Sequence, residues 1–472
     1  MAAADIIERL QRYLRALSPQ AQSMLVGALE RSVLRGDDVA GGDLIFQELR
    51  RIAREQRDGA PRIGNSARLF FKPIESFLVD DKSDHKHPGR IARCSLEPLW
   101  NWVRRDLLPD DAKVLADQVG EALLANDEAR AEHAMRAFQD RAVGAIAANF
   151  NLAAGDDKSQ RRLLAQIGTG RASEDATILR CLLKGHDALG KLAAHLPIQI
   201  ADLSNGRLDE CKGLIESTSA QDGDLFLSAL LMVMSRLAAP WQLIRFGIKA
   251  AGSDTAARVA ETHYSVGVTI VLAELDRQVR ELRDGLHDGR GVAVSALLKT
   301  IHDAVRALRT ELAIPVDSTW GRALAAQRAQ ISELLKSEIE SMPGKVRRLL
   351  RARPSDEIRP HSTLDDGDVA DTEALVEFMG SCRRFADELA ISEMTQRTFA
   401  ELQQYLDGGM RALLDGLRHA GPSDRSFRQS QVDAAVRFCA KVFGPDYASL
   451  LGKAAEVAGA AERKIGRTTA RA

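Results

Sequence analysis

The segment Leu225-Phe-Leu-Ser-Ala-Leu-Leu-Met-Val-Met234 is strongly apolar, and the polar residues Ser235 and Arg236 end it after ten positions. A helix that spans a bilayer needs about 20 apolar residues, so this segment predicts a buried core helix instead. Residues 225–248 and 266–275 are apolar on all sides rather than along one stripe. Helices of that kind lie at the centre of a core with neighbours on several sides, which favours a multi-helix bundle.

Composition extends the helical prediction to the rest of the chain. Ala, Leu, Arg, Glu and Gln are abundant, and all are strong helix formers. Only 14 of 472 residues are Pro, and most lie between segments of helical periodicity. The longest β-branched run, 266–271, falls inside such a segment. The sequence therefore predicts an all-α protein: a large irregular multi-helix bundle or helical array with a smaller C-terminal helical domain.

Changes in composition along the chain suggest four segments. Residues 354–371, PSDEIRPHSTLDDGDVAD, contain two prolines, few apolar residues and no periodicity, which is typical of a linker. Residues 69–78, LFFKPIESFL, are unusually aromatic and are interpreted as a docking segment. The predicted order is N-terminal helices and docking segment (1–94), central helical bundle (95–353), acidic linker (354–371) and C-terminal helical domain (372–472).

Charge and cysteine content limit the possible partners and compartments. The net charge of −1 gives no global field toward nucleic acid or an anionic membrane. The 50 Arg against 15 Lys suggest a GC-rich, bacterial genome rather than phosphate binding. Five scattered cysteines without a CxxC pair form neither a disulfide framework nor a zinc site, and they favour a reducing cytoplasm. The N-terminus lacks the features of a secretory signal.

Residues 185–191, GHDALGK, have the GxxxxGK spacing of a phosphate-binding loop. Leu192 follows, however, where that loop needs Ser or Thr to hold Mg²⁺. The preceding apolar residues also have helical spacing. We therefore expect a helix over about 173–195 with two tolerated glycines.

Residues 80–89, DDKSDHKHPG, bring acids and histidines close together in the sequence, and such side chains can ligate transition metals. The stretch lacks the regular spacing of metal motifs carried on helices and precedes a Pro-Gly turn. A solvated polar loop is expected, with no metal site and no cofactor.

The basic segment 345–353, KVRRLLRAR, is the candidate binding site. It is predicted to form a short amphipathic helix after a break at 342–344. The following residues, from Pro354 to Glu373, contain seven acidic residues and one arginine. A +5 segment beside a −6 segment predicts either a fold-back contact or the docking of an anionic partner. The candidate site residues are Lys345, Arg347, Arg348, Arg351 and Arg353.

These patterns favour a non-enzymatic cytoplasmic scaffold or adaptor that binds another protein through helical surfaces. One alternative is an enzyme whose active-site residues are dispersed over several helices. Another is a peripheral binder of anionic membrane or nucleic acid through 345–353. A deep pocket lined by converging His, Asp and Glu would favour the enzyme, and a shallow groove would favour the scaffold. The sequence leaves the oligomeric state open.

Overall fold

A computed structural model shows a chain built almost entirely of α-helices. It describes residues 10, 12–35, 41–42, 45–46, 48–49, 66–80, 87–125, 127–168, 170–220, 222–287 and 291–469. In this part of the chain, the strands are two residues long: β1 (Leu78–Val79) pairs in parallel with β2 (Ile91–Ala92). The all-α prediction is therefore confirmed.

Contacts divide the chain into an N-terminal unit, residues 1–246, and a C-terminal unit, residues 247–472. The helices of the N-terminal unit are α1 (Pro19–Arg35), α2 (Ser66–Phe71), α3 (Leu96–Trp102), α4 (Pro109–Leu124), α5 (Glu128–Ala154), α6 (Asp157–Ile167), α7 (Gly170–Lys184), α8 (His186–His195), α9 (Asn205–Ser219) and α10 (Leu225–Arg236). Helix α11 (Ile244–Ala251) contains the division. The C-terminal unit continues with α12 (Ala256–Ala260), α13 (Val266–His287), α14 (Gly291–Thr310), α15 (Thr319–Leu350), α16 (Asp366–Arg384), α17 (Ser392–Arg418), α18 (Arg425–Phe443) and α19 (Pro445–Thr469).

This division lies at a different position from the limits predicted at residues 94, 353 and 371. Residues 66–80 and 87–94 belong to the same unit as the helices that follow them. Residues 354–371 belong to the same unit as the helices on both sides. Whether the four predicted segments fold independently of one another stays a prediction.

The aromatic segment 69–78 lies in the core of the N-terminal unit. The ring of Phe70 packs against Trp100 of α3 at a centroid distance of 5.2 Å and against Phe138 of α5 at 5.9 Å. Phe71 and Phe77 are also almost fully buried. Aromatic side chains remove a large apolar area from water, so this short segment joins α2, α3 and α5.

Helix α10 forms from the apolar stretch 225–236, and most of its side chains are buried. The apolar helical region predicted over 225–248 is interrupted, because the chain turns after Arg236. Leu237 joins Ile200 in an isolated backbone bridge, and Pro240 begins a 3₁₀ helix, Pro240–Leu243, before α11. Proline lacks the N–H that a continuous helix would need there. The described helices include none long and apolar enough to cross a membrane.

The C-terminal unit consists of long helices that pack on one another. Helix α13 packs against α14 and α15, and α15 packs against α17. Helix α18 contacts α16, α17 and α19. The buried face of α17 carries Leu402, Leu406, Leu413 and Leu417 at helical spacing. This arrangement places the C-terminal end of α15 beside the starts of α16 and α18.

Candidate functional site

The predicted basic helix is the last part of α15 and not a separate element. Helix α15 runs through Pro343 and ends at Leu350, so the predicted break at 342–344 and the predicted helix limit at 353 are both wrong. Proline inside a helix removes one hydrogen bond. Here Met342, Pro343 and Val346 are buried together in the unit, and this burial stabilises the helix across the proline.

Helical spacing separates the apolar and the cationic residues of this end. Val346, Leu349 and Leu350 are buried, whereas Lys345, Arg347, Arg348 and Arg351 are exposed and Arg353 is half-buried. Cations near the C-terminus of a helix are also stabilised by the helix dipole. Lys345, Arg347 and Arg348 therefore lie in the last turns of α15, and Arg351 and Arg353 lie directly after its end.

Arg347 is held by two groups of α17. Its Nη2 forms an ion pair with Glu401, and its guanidinium lies 5.6 Å from the ring centroid of Tyr405. Burial raises the pKa of Tyr405 above its ordinary value, and Arg347 opposes this rise. The phenol is thus uncharged at neutral pH, and its ring stacks with the cation.

The acidic segment folds back onto the basic one through a single ion pair. Nη2 of Arg348 lies 3.2 Å from Oδ2 of Asp368, and both side chains are more than half exposed. Asp368 lies in the first turn of α16, which begins at Asp366. Asp365 caps that helix by accepting a hydrogen bond from the backbone N–H of Asp368 at 2.9 Å.

The chain that leaves α15 is fixed to α18. Gln431 Nε2 donates hydrogen bonds to the carbonyl oxygens of Leu349 and Arg351, each at 2.9 Å. The guanidinium of Arg353 lies 5.1 Å from the ring centroid of Phe427. Contacts with α18 therefore fix the backbone at the end of the basic segment.

The chain after the basic site is fixed as well. The hydroxyl of Ser355 donates to Asp424 at 2.9 Å, and the backbone N–H of Leu364 donates to the hydroxyl of Ser430 at 2.9 Å. Ile358 and Leu364 are buried. Residues 354–365 thus contact the unit at several points, although most of their side chains are exposed.

Lys345 and Arg351 differ from their neighbours. Both are exposed, and no ion pair joins either side chain to another residue that the structure describes. They flank the two arginines that are paired with carboxylates. These two cations therefore remain exposed to solvent.

The GxxxxGK stretch is helical, but it is divided between two helices. Helix α7 ends at Lys184 and α8 begins at His186, with Gly185 between them. A Cβ on Gly185 would lie 2.2 Å from Leu225 Cδ2, so glycine allows close contact with α10. This packing explains Gly185 without a phosphate.

The acidic and histidine-rich loop falls mostly outside the described residues, which omit 81–86. Of its flanks, Asp80 pairs with Arg93 at 2.6 Å and His87 is buried. Within the described ranges, no group of three or more His, Cys, Asp or Glu side chains could hold a metal ion.

Comparison with known proteins adds no identity to this site: no family model, no curated protein and no solved structure matches the chain. The residues that hold the basic site, Glu401, Tyr405, Phe427 and Gln431, were not identified from the sequence. They lie 54 to 82 positions away from the residues they contact. Local sequence patterns do not predict contacts between residues this far apart in the chain.

Proposed function

We propose that the protein is a helical scaffold or adaptor that binds another protein, and that the C-terminal end of α15 contacts an acidic surface of that partner. The observation that carries the proposal is the pair of exposed cations, Lys345 and Arg351, on a backbone fixed by Gln431. A fixed backbone loses little conformational freedom on binding, so more of the contact energy appears as affinity.

The charges around the site favour a protein over a polyanion. Carboxylates of Asp368 and Glu401 lie among the cations and pair with two of them. A continuous array of phosphates, as on nucleic acid or an anionic membrane, would be repelled by these groups. A protein surface with both signs of charge can match them, and electrostatic complementarity of this kind gives specificity. The chain's net charge of −1 agrees with this choice.

We also assign the protein to the cytoplasm of a bacterium as part of this proposal. All five cysteines are free thiols, which suits a reducing compartment. The excess of Arg over Lys in the sequence supports the bacterial assignment.

The experiment compares three full-length proteins that are used to capture partners from cells of the host. They are the wild type, Lys345→Glu/Arg351→Glu, and the control Arg161→Glu/Arg162→Glu, which makes the same charge change on exposed positions of α6. Mass spectrometry should identify a protein that the wild type and the control retain and the first variant loses. Binding of that purified protein should then be reproduced with purified components.

Two further probes decide between partner classes. Vesicles containing phosphatidylserine and a random-sequence DNA duplex are titrated against the same three proteins at low salt. We expect weak binding that is equal in all three. Vesicle or duplex binding that is lost only in Lys345→Glu/Arg351→Glu, with no protein retained, would replace the proposal with a membrane or nucleic-acid function.

A further inference from the structure

A cleft of about 540 Å³ lies within the N-terminal unit, far in sequence from the basic site. Its walls come from the end of α2, from the 3₁₀ helix Lys72–Phe77, from α5 and from the start of α8. Four elements therefore converge on one space that has the volume of a small-molecule site.

The charged side chains of the cleft form two ion pairs. Lys72 pairs with Glu132, and Arg136 Nη2 lies 3.3 Å from Asp187 Oδ2. Lys72 and Glu132 are 64% and 51% exposed, so this pair contributes little and opens easily. The lining thus contains two cations and two anions. Because the Lys72–Glu132 pair is weak, a ligand with charged groups can replace it at low cost.

The guanidinium of Arg136 is held in place by the protein. Its Nη1 donates to the carbonyl oxygen of Leu183 at 3.2 Å, and Asp140 lies 3.4 Å from Nη2. His186, at the start of α8, has a pKa below its ordinary value, chiefly because of burial and also because of Arg136. Its imidazole is uncharged at neutral pH and adds no charge to the cleft.

The remaining lining is apolar. Leu69, Pro73 and Met135 lie beside the charged groups, and Met135 is buried. Gln139, below them, donates from Nε2 to the carbonyl oxygen of Phe70 at 2.8 Å and fixes α5 to α2. The cleft therefore combines paired charges of both signs with an apolar surface.

We propose that this cleft binds a small zwitterion with an apolar side chain, of the class of free α-amino acids. The carboxylate of such a ligand would take Lys72 and Arg136, its ammonium would take Glu132 and Asp187, and its side chain would cover Leu69, Pro73 and Met135. A simple anion would pair with Lys72 and Arg136 but would be repelled by Glu132 and Asp187. A simple cation would pair with the two carboxylates but would be repelled by the two cations. A zwitterion satisfies both signs of charge.

The test is calorimetric titration of the full-length protein with L-leucine, L-methionine and L-phenylalanine. For each amino acid, the N-acetyl derivative lacks the ammonium group and the amide lacks the carboxylate. We expect at least one of the free amino acids to bind with a Kd below about 1 mM. Its two derivatives should bind at least about tenfold more weakly. No binding by any of the three, or equal binding by an N-acetyl derivative, would overturn the proposal.

A variant locates the binding. Lys72→Gln/Glu132→Gln removes one cation and one anion of the cleft without changing the net charge, and it should weaken binding of the same amino acid at least about tenfold. The control Lys113→Gln/Asp110→Asn removes another exposed pair, 3.3 Å apart on α4, and should bind as the wild type does. Circular dichroism checks that both variants fold. A folded cleft variant with unchanged affinity would show that the ligand binds elsewhere.

Discussion

Arg348 Nη2 and Asp368 Oδ2 lie 3.2 Å apart and join the end of α15 to the first turn of α16. The two side chains are 63% and 52% exposed. An exposed pair of this kind contributes about 0–1 kcal/mol to stability, and salt screens it. The acidic segment therefore binds one cation of the basic site only weakly.

Asp368→Asn should release Arg348 at little cost. We expect the free energy of unfolding to fall by less than about 1 kcal/mol, and the loss to shrink at high salt. Asp365→Ala is the comparison, because it removes the cap of α16 and should cost about 0.5–2 kcal/mol at either salt concentration. Urea unfolding at two salt concentrations measures both. An equal, salt-independent loss in the two variants would mean that Asp368 has a structural role.

Gly185→Ala should destabilise the N-terminal unit. The new Cβ would lie 2.2 Å from Leu225 Cδ2, and overpacking of this kind costs about 1–3 kcal/mol. Gly190→Ala is the matched control, because a Cβ there meets nothing within 4 Å inside α8. It should stabilise the protein by about 0.5–1 kcal/mol, since alanine favours a helix over glycine. Thermal unfolding of the two variants should shift in opposite directions. A gain in stability for both would show that α8 and α10 do not approach closely at Gly185.

The helical class of the chain could be predicted because helix propensity and periodicity agree along most of its length. The apolar run 225–234 and the five clustered cations were both visible as local patterns. Details set by packing were not visible. Gly185 divides a predicted helix because Leu225 lies against it, and Pro343 fails to end α15 because its neighbours are buried.

The cleft of the N-terminal unit was not predicted. Lys72 and Glu132 are 60 positions apart, and Arg136 and Asp187 are 51 positions apart. Lys72 lies in the aromatic segment 69–78, and the other three residues lie on α5 and α8. Only the tertiary fold brings the four side chains to one space, so a single sequence offers no signal for it.

The five thiols should differ in reactivity. Cys94 is exposed, whereas Cys382 and Cys439 are fully buried, and burial raises the pKa of each of these two thiols to about 12. The thiolate is the reactive form. Cys94 should therefore react first with Ellman's reagent, and Cys382 and Cys439 only after unfolding in urea. Mass spectrometry of the labelled peptides assigns the sites. Early labelling of Cys382 would contradict the packing around α16.

Asp175 should make stability depend on pH. It is buried and accepts a hydrogen bond from the backbone N–H of Ala92 at 3.2 Å, and burial raises its pKa above 3.8. The folded state therefore binds the proton more tightly than the unfolded state. Stability from this group is present at low pH and is lost as pH rises through the folded pKa. Asp175→Asn removes this loss.

The stability of Asp175→Asn relative to the wild type should accordingly rise from acidic to neutral pH and then become constant. Urea unfolding of both proteins across that range measures the difference. A difference that stays flat or falls with rising pH would show that Asp175 is not held in an unfavourable charged state.

The most direct measurement for the proposed function is the affinity for the captured partner protein at low and high salt. It compares the wild type with Lys345→Glu/Arg351→Glu and with the control Arg161→Glu/Arg162→Glu. We predict a Kd at least tenfold higher for the first variant, about 1.4 kcal/mol, a smaller ratio at high salt, and no change for the control. Equal dissociation constants for all three proteins would contradict the assignment of the binding surface to the end of α15.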